Sequence, residues 1–136
     1  MHQGAGKVTV RGGLTVTCFF LCLWIACHLL PAEDLRILAD IKRALARTIG
    51  NRPHRILLFG SKARGDYGRR SDLDVAVIVD GMDSTLRNAI YDAVGMVELE
   101  HSVFTTTFAI STEAFERLRA RERRIALDIE REGIPL

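Results

Sequence analysis

Between Gly60 and Asp74 the chain reads GSKARGDYGRRSDLD, and these residue types at this spacing could handle a phosphorylated ligand. Asp72 and Asp74 stand two apart at the start of a run rich in Val and Ile, Leu73 to Val79. In a strand, period-two alternation puts both carboxylates on one face, roughly 7 Å apart at the backbone. Two carboxylates held that close repel each other unless a cation sits between them. Mg2+ is the expected ion, since it takes one or two carboxylates and completes its shell with water and substrate phosphates. At the other end of the segment, Gly60-Ser61 follows a short apolar run, His54 to Phe59. A residue without a side chain there lets the backbone approach a ligand closely. Ser61, Lys62, Ala63 and Arg64 can open a short helix whose N–H groups and dipole attract phosphate, with the Ser61 hydroxyl as a further donor. Lys62 and Arg64 add cationic partners. An acid pair beside a phosphate-gripping bend is what metal-assisted phosphoryl or nucleotidyl transfer requires. Taken singly the parts are ordinary: an Asp-x-Asp is usually a solvated strand end, and a Gly-Ser is usually a turn. The joint pattern, with an apolar run on either side, is far rarer.

Charge agrees with a small polyanion rather than a nucleic acid. The formal net charge is +2, but Lys7 and Arg11 lie outside the region from Glu33 to Glu132 that holds all 17 carboxylates and the other 17 basic residues. That region is close to neutral, so bulk attraction to nucleic acid is not indicated. Arg52, Arg55, Lys62, Arg64, Arg69 and Arg70 nevertheless crowd together with one acid, Asp66, which suits a triphosphate, or alternatively a solvated loop. Arg117, Arg119, Arg121, Arg123 and Arg124 alternate with Glu116 and Glu122 and read as a solvated helix face rather than an RNA-binding stripe.

The elements that must hold the acids are legible in outline. Leu38, Ile41, Leu45 and Ile49 keep helical spacing, and Gly50-Asn51 with Pro53 stop that helix. His54–Phe59 and Leu73–Val79 read as buried strands. A helix is expected from Ser84 to about Glu98, and a third strand over Val103–Ile110. Ser111 is a suitable N-cap for one last helix that carries Phe115, Leu118, Ile125 and Ile129 on one face and stops at Gly133 and Pro135. The fold class expected is α/β, a small mixed β-sheet flanked by helices, over residues 33–136.

Residues 1–32 form a different, apolar extension. An uncharged run from Gly12 to Ala32 contains CFFLCLWIACHLL, with Cys18, Cys22, Cys27 and Trp24. Its length is that of a marginal membrane span or an export signal, weakened by Thr15, Thr17 and His28. A start codon assigned too far upstream is the favoured reading, a membrane anchor the next. The three cysteines show no metal-ligand spacing, and an odd number argues against a disulfide framework. A cytoplasmic setting is expected, with membrane attachment through residues 12–32 as the alternative.

Gly60-Ser61, ten residues, then Asp72-x-Asp74 resembles the signature of the polymerase-β nucleotidyltransferase superfamily, and Ala63-Arg64-Gly65 and Ser71 strengthen the match. Within it the chain is similar to the small, stand-alone minimal nucleotidyltransferases of prokaryotes, including the EREGIPL ending. The resemblance covers the chain from about residue 34 onward. It implies a nucleotidyltransferase fold, Mg2+ held by Asp72 and Asp74, and a nucleoside triphosphate, ATP above all, held by Gly60, Ser61, Lys62 and Arg64. It also implies transfer of a nucleoside monophosphate to a hydroxyl with release of pyrophosphate. Many minimal members act as antitoxins on a small helical toxin-type partner protein, which is a partner implied here too.

One departure from the family pattern bears on activity. A third carboxylate is expected on the strand beside Asp72 and Asp74, near Phe104, yet no acid occurs from Ser102 to Ser111. Without it the metal that activates the attacking hydroxyl is short of a ligand. Glu100, or less readily Glu98, is the substitute to consider, with His101 behind them. Tyr67 could stack on a base or simply cover the loop. A weakened nucleotide-binding or partner-binding module is therefore the alternative to an active transferase.

Overall fold

Residues 30–136 are described throughout in the computed structural model of the chain; before them the backbone of two antiparallel strands is described, Lys7–Val10 (β1) and Leu14–Thr17 (β2). Cys18, Cys22, Cys27, Trp24 and most of the run 12–32 read as an anchor or export signal lie outside the described residues. Among the described residues no helix is long and apolar enough to cross a membrane.

The helical stripe after Glu33 is the inner face of α1, Ala32–Ile49, which buries Ile37, Leu38, Ile41, Leu45 and Ile49. Burying a side chain of this size stabilises a fold by about 2 kcal/mol. Gly50, at φ +69°, ends the helix while its N–H still reaches Ala46 O at 3.0 Å. Next come β3 (His54–Phe59), a single helical turn α2 (Ser61–Arg64) and β4 (Leu73–Val79). Helix α3 (Ser84–His101) starts at Asp83, whose Oδ1 accepts from Leu86 N at 2.8 Å, and it runs three residues beyond the Glu98 expected. It carries the chain across to β5 (Thr105–Ser111), which lies parallel to β4; a parallel pair needs such a crossover.

The final helix is two helices, α4 (Thr112–Ala120) and α5 (Arg124–Glu132). The reason lies in the sequence from Arg121 to Arg124, four charged residues with no apolar side chain to continue the buried stripe. Glu122 takes a left-handed φ of +51°, its N–H reaches Arg119 O at 3.0 Å, and Arg123 N–H reaches Leu118 O at 2.9 Å. This is the paired-bond helix stop, with glutamate where glycine is commoner. The break allows Phe115 on α4 and Ala126 and Ile129 on α5 to bury in the same cluster. Beyond Gly133, Ile134–Pro135 (β6) forms an edge strand that was not expected; it pairs antiparallel with β3, and Leu136 N–H adds a bond to Ile56 O.

The sheet order is β5-β4-β3-β6, a mixed four-stranded sheet with β4 inside it. Alternation sorts its side chains. Val75, Val77, Val79, Ile56, Leu58 and Ala109 join the cluster under α1 and α3. Leu57, Ala76 and Ile78, with Phe108 and Ile110 beside them, join the cluster under α4 and α5. Helices thus cover both faces of one sheet, the mixed α/β architecture expected.

Candidate functional site

Asp74 shares the parity of Ala76 and Ile78, so it belongs to the sheet face covered by α4 and α5, at the end where β4 begins; Asp72 stands just ahead of the strand, near enough for its charge to act on Asp74. Asp72 is exposed and Asp74 half-buried. Phe59, the last residue of β3, is opposite Asp74, and Gly60 follows it directly. Gly60 adopts φ +77° and ψ −159°, and a Cβ there would collide with Asp74 Oδ2. The bend and the acid are therefore in contact, with no room for a side chain between them. From Gly60 the chain turns at once into α2, where Ala63 N–H and Arg64 N–H both reach Gly60 O. Ser61, half-buried, heads that turn. Gly68 N–H donates to Ser71 Oγ at 2.9 Å, closing the loop just ahead of Asp72.

Burial raises the pKa of Asp74 above its ordinary value, and the nearby charge of Asp72 pushes the same way; a Thr106 side-chain hydrogen bond and the Arg64 charge pull it back. Burial and a neighbouring acid together disfavour the charged form of Asp74, a cost that a bound cation would offset. Two carboxylates in that state fit a hard divalent cation.

The two cations of α2 have different partners. Arg64 Nη1 donates to Glu132 Oε2 at 2.9 Å and its Nε to Asp66 Oδ2 at 3.1 Å, bonds that raise its pKa still further. Glu132 belongs to α5, on the same side of the sheet as the acids, and Arg64 remains 44% exposed. Lys62 goes the other way. Its Nζ lies 2.5 Å from Asp34 Oδ2 in the first turn of α1 and 4.3 Å from the centre of the Tyr67 ring. Only 9% of its side chain is exposed. Residues two apart on a helix do not share a face, so the turn that offers Arg64 to the acids gives Lys62 to α1. Lys62 would have to leave Asp34 before it could meet a phosphate, and Tyr67 is engaged with Lys62 rather than presented for stacking. Asp34→Ala should leave that ammonium unpaired and destabilise the protein by about 2 kcal/mol, read as a lower urea midpoint; an unchanged midpoint would show that the pair contributes nothing.

The residues considered for a third carboxylate are placed elsewhere. Phe104 precedes β5 and is 85% exposed. The residue opposite Asp74 is Thr106, which also bonds to its carboxylate. Glu98 is occupied, its Oε1 accepting from Thr105 N at 2.6 Å and Thr105 Oγ1 at 2.8 Å. Glu100 lies with Asp40 and His101, where α3 meets α1. Those helices pack on the other face of the sheet, so Glu100 could serve as a substitute third carboxylate beside Asp74 only by leaving Asp40 and His101. His101 is likewise bound to Asp40, Nε2 to Oδ2 at 2.7 Å. Sequence reasoning missed Thr106 and Glu132. The first needs the parallel register to be known, and the second needs the return of α5 to α2.

A mixed sheet with helices on both faces and a Gly-Ser bend pressed against an Asp-x-Asp pair defines a nucleotidyltransferase. The sequence pattern of the nucleotidyltransferase domain matches residues 38–130, and the chain belongs to that family. A Methanocaldococcus jannaschii protein named “Putative protein adenylyltransferase” is 38% identical over 50 residues, which are 37% of this chain and 50% of that protein. The chain thus spans about half the length of this curated relative. The family in general brings a nucleoside triphosphate substrate and a divalent metal.

Proposed function

We propose that this protein is a Mg2+-dependent nucleotidyltransferase that moves a nucleoside monophosphate, AMP by preference, to a hydroxyl on a small helical partner protein. In this reading the partner is a toxin and the chain its antitoxin, in a cytoplasmic setting where triphosphates are abundant. The observation that carries it is the contact of Gly60 with the under-compensated carboxylate of Asp74, with Asp72 beside it. Asp72 and Asp74 would hold the ion, which when bound offsets charge on the phosphates and the departing oxygen. Gly60 and Ser61 would present backbone N–H and hydroxyl donors to the triphosphate, and Arg64, oriented by Glu132, a cation. The acceptor hydroxyl oxygen bonds to the α-phosphorus while the bond from that phosphorus to the bridging oxygen breaks. Pyrophosphate leaves and the hydroxyl proton passes to water. The name of the Methanocaldococcus jannaschii relative supports a protein acceptor.

The test is incubation with Mg2+, ATP and a candidate small helical partner protein. Label should move to that protein from α-labelled ATP and not from γ-labelled ATP. Absence of label on it, with label on an RNA end or a small hydroxyl compound, would keep the chemistry and discard the antitoxin role.

A second reading is favoured by Thr106: with a hydroxyl rather than an acid opposite Asp74, and no carboxylate near Phe104 either, the chain would bind nucleotide and transfer it poorly. Thr106→Asp should then raise kcat about tenfold, or ~1.4 kcal/mol of barrier. A fall in kcat would show that this chain uses its threonine as it stands.

A further inference from the structure

We propose that Asp40, Glu100 and His101 form a second divalent-metal site, of the zinc class, on the sheet face opposite Asp72 and Asp74. One ligand atom from each side chain lies within 4.8 Å of the others. Asp40 comes from the middle of α1, and Glu100 and His101 from the end of α3. These two helices pack on each other over the sheet, so the three groups hang from a fixed frame rather than a loop. The donor set is one imidazole nitrogen and two carboxylates. That mixture suits zinc and its neighbours and is poorly matched to Mg2+, which favours oxygen alone.

Three further features prepare the site. His101 Nε2 already faces Asp40 Oδ2 at 2.7 Å, and an ion with ordinary bond lengths needs its ligands ~3.3 Å apart, a small widening. Arg43 bonds to the other Asp40 oxygen, Oδ1, so it orients the carboxylate without occupying the atom turned to His101. His101 is also the last residue of α3, where the helix dipole favours positive charge. Asp40 and His101 are 23% and 18% exposed, while Glu100 is open to solvent. Asp40 and Glu100 line a groove of about 830 Å3 between α1 and α3, through which an ion and its waters could enter. A bound ion would tie α1 to the turn from which β5 departs toward Thr106.

The test uses the full chain with Asp72→Asn, Asp74→Asn, serine at the three cysteines and glutamine at His2, His28 and His54, so that the other histidine, cysteine and paired-acid ligands are absent. After treatment with chelator, calorimetric titration with Zn2+ should show binding at one equivalent, and Zn2+ should raise the melting temperature. His101→Gln and Asp40→Asn should each weaken that binding at least tenfold. Glu100→Gln, on an exposed side chain that cannot unfold the protein, should weaken it as well. Absence of binding in the parent, or equal affinity in parent and Glu100→Gln, overturns the proposal.

Discussion

Asp74→Asn should lower nucleotidyl transfer by about three orders of magnitude while making the metal-free fold more stable at neutral pH. The loss follows from removing one of two carboxylates that would hold the ion, a change worth ~4 kcal/mol of barrier at 1.36 kcal/mol per decade. The gain in stability follows from the raised pKa of this group, caused first by burial and then by Asp72. In the folded protein the Asp74 carboxyl keeps its proton to a higher pH than it does in the unfolded chain. The folded state therefore binds more protons over the interval from the ordinary value of 3.8 up to the raised one. Its contribution to stability is complete below that interval and falls away as pH rises through it. Asparagine has the same shape and still accepts a bond from Thr106, yet has no such slope. Urea denaturation in chelator from about pH 4 to about pH 8 measures this. A variant as pH-sensitive as the parent would show that Asp74 is not a strained acid. Near-normal transfer in the same variant would remove it from the catalytic centre.

Gly60→Ala should be the most damaging change that alters no charged or polar side chain. At φ +77° and ψ −159° the backbone is in a region open almost only to glycine, which by itself costs a residue with a Cβ about 1–3 kcal/mol. The added methyl would also displace the Asp74 carboxylate, because it would clash with Oδ2. Misplacing a ligand by the width of a methyl group should cut transfer about a hundredfold. Gly65 is the matched control. It too has a positive φ, +85°, but nothing lies within 4 Å of where its Cβ would be. Gly65→Asn, which suits that left-handed conformation, should cost less than about 1 kcal/mol and leave transfer within about twofold. Equal losses of transfer in the two variants would mean that this loop tolerates no added side chain, and that the contact with Asp74 does not account for the effect.

Local pattern was enough for much of this molecule. The stripe Leu38, Ile41, Leu45, Ile49 set a helix because helical period depends on neighbours three and four residues apart. The run Leu73–Val79 set a strand that begins with Asp74 in its second position, because strand propensity and period two are local whatever the strand is paired with. The Ser111 cap is equally local, its Oγ accepting from Ala114 N at 3.1 Å. The stop at Glu122 was legible too, in the gap between Leu118 and Ile125, but one continuous helix overlooked it.

Other features depended on which elements meet. Lys62 and Arg64 look interchangeable in the sequence, yet one is claimed by Asp34 and the other by Glu132, partners 28 and 68 residues away. Threonines 105, 106 and 107 look like one strand-forming run. The first bonds Glu98, the second bonds Asp74, and Thr107 Oγ1 is buried without a partner among the described residues. Glu100, a few residues before the strand that pairs with Asp74, is grouped instead with Asp40 and His101. Period and turn chemistry are properties of short segments and survive in the sequence alone. The face an element presents to the rest, and the residue it meets there, come from burying two apolar clusters at once, and only the assembled sheet decides that.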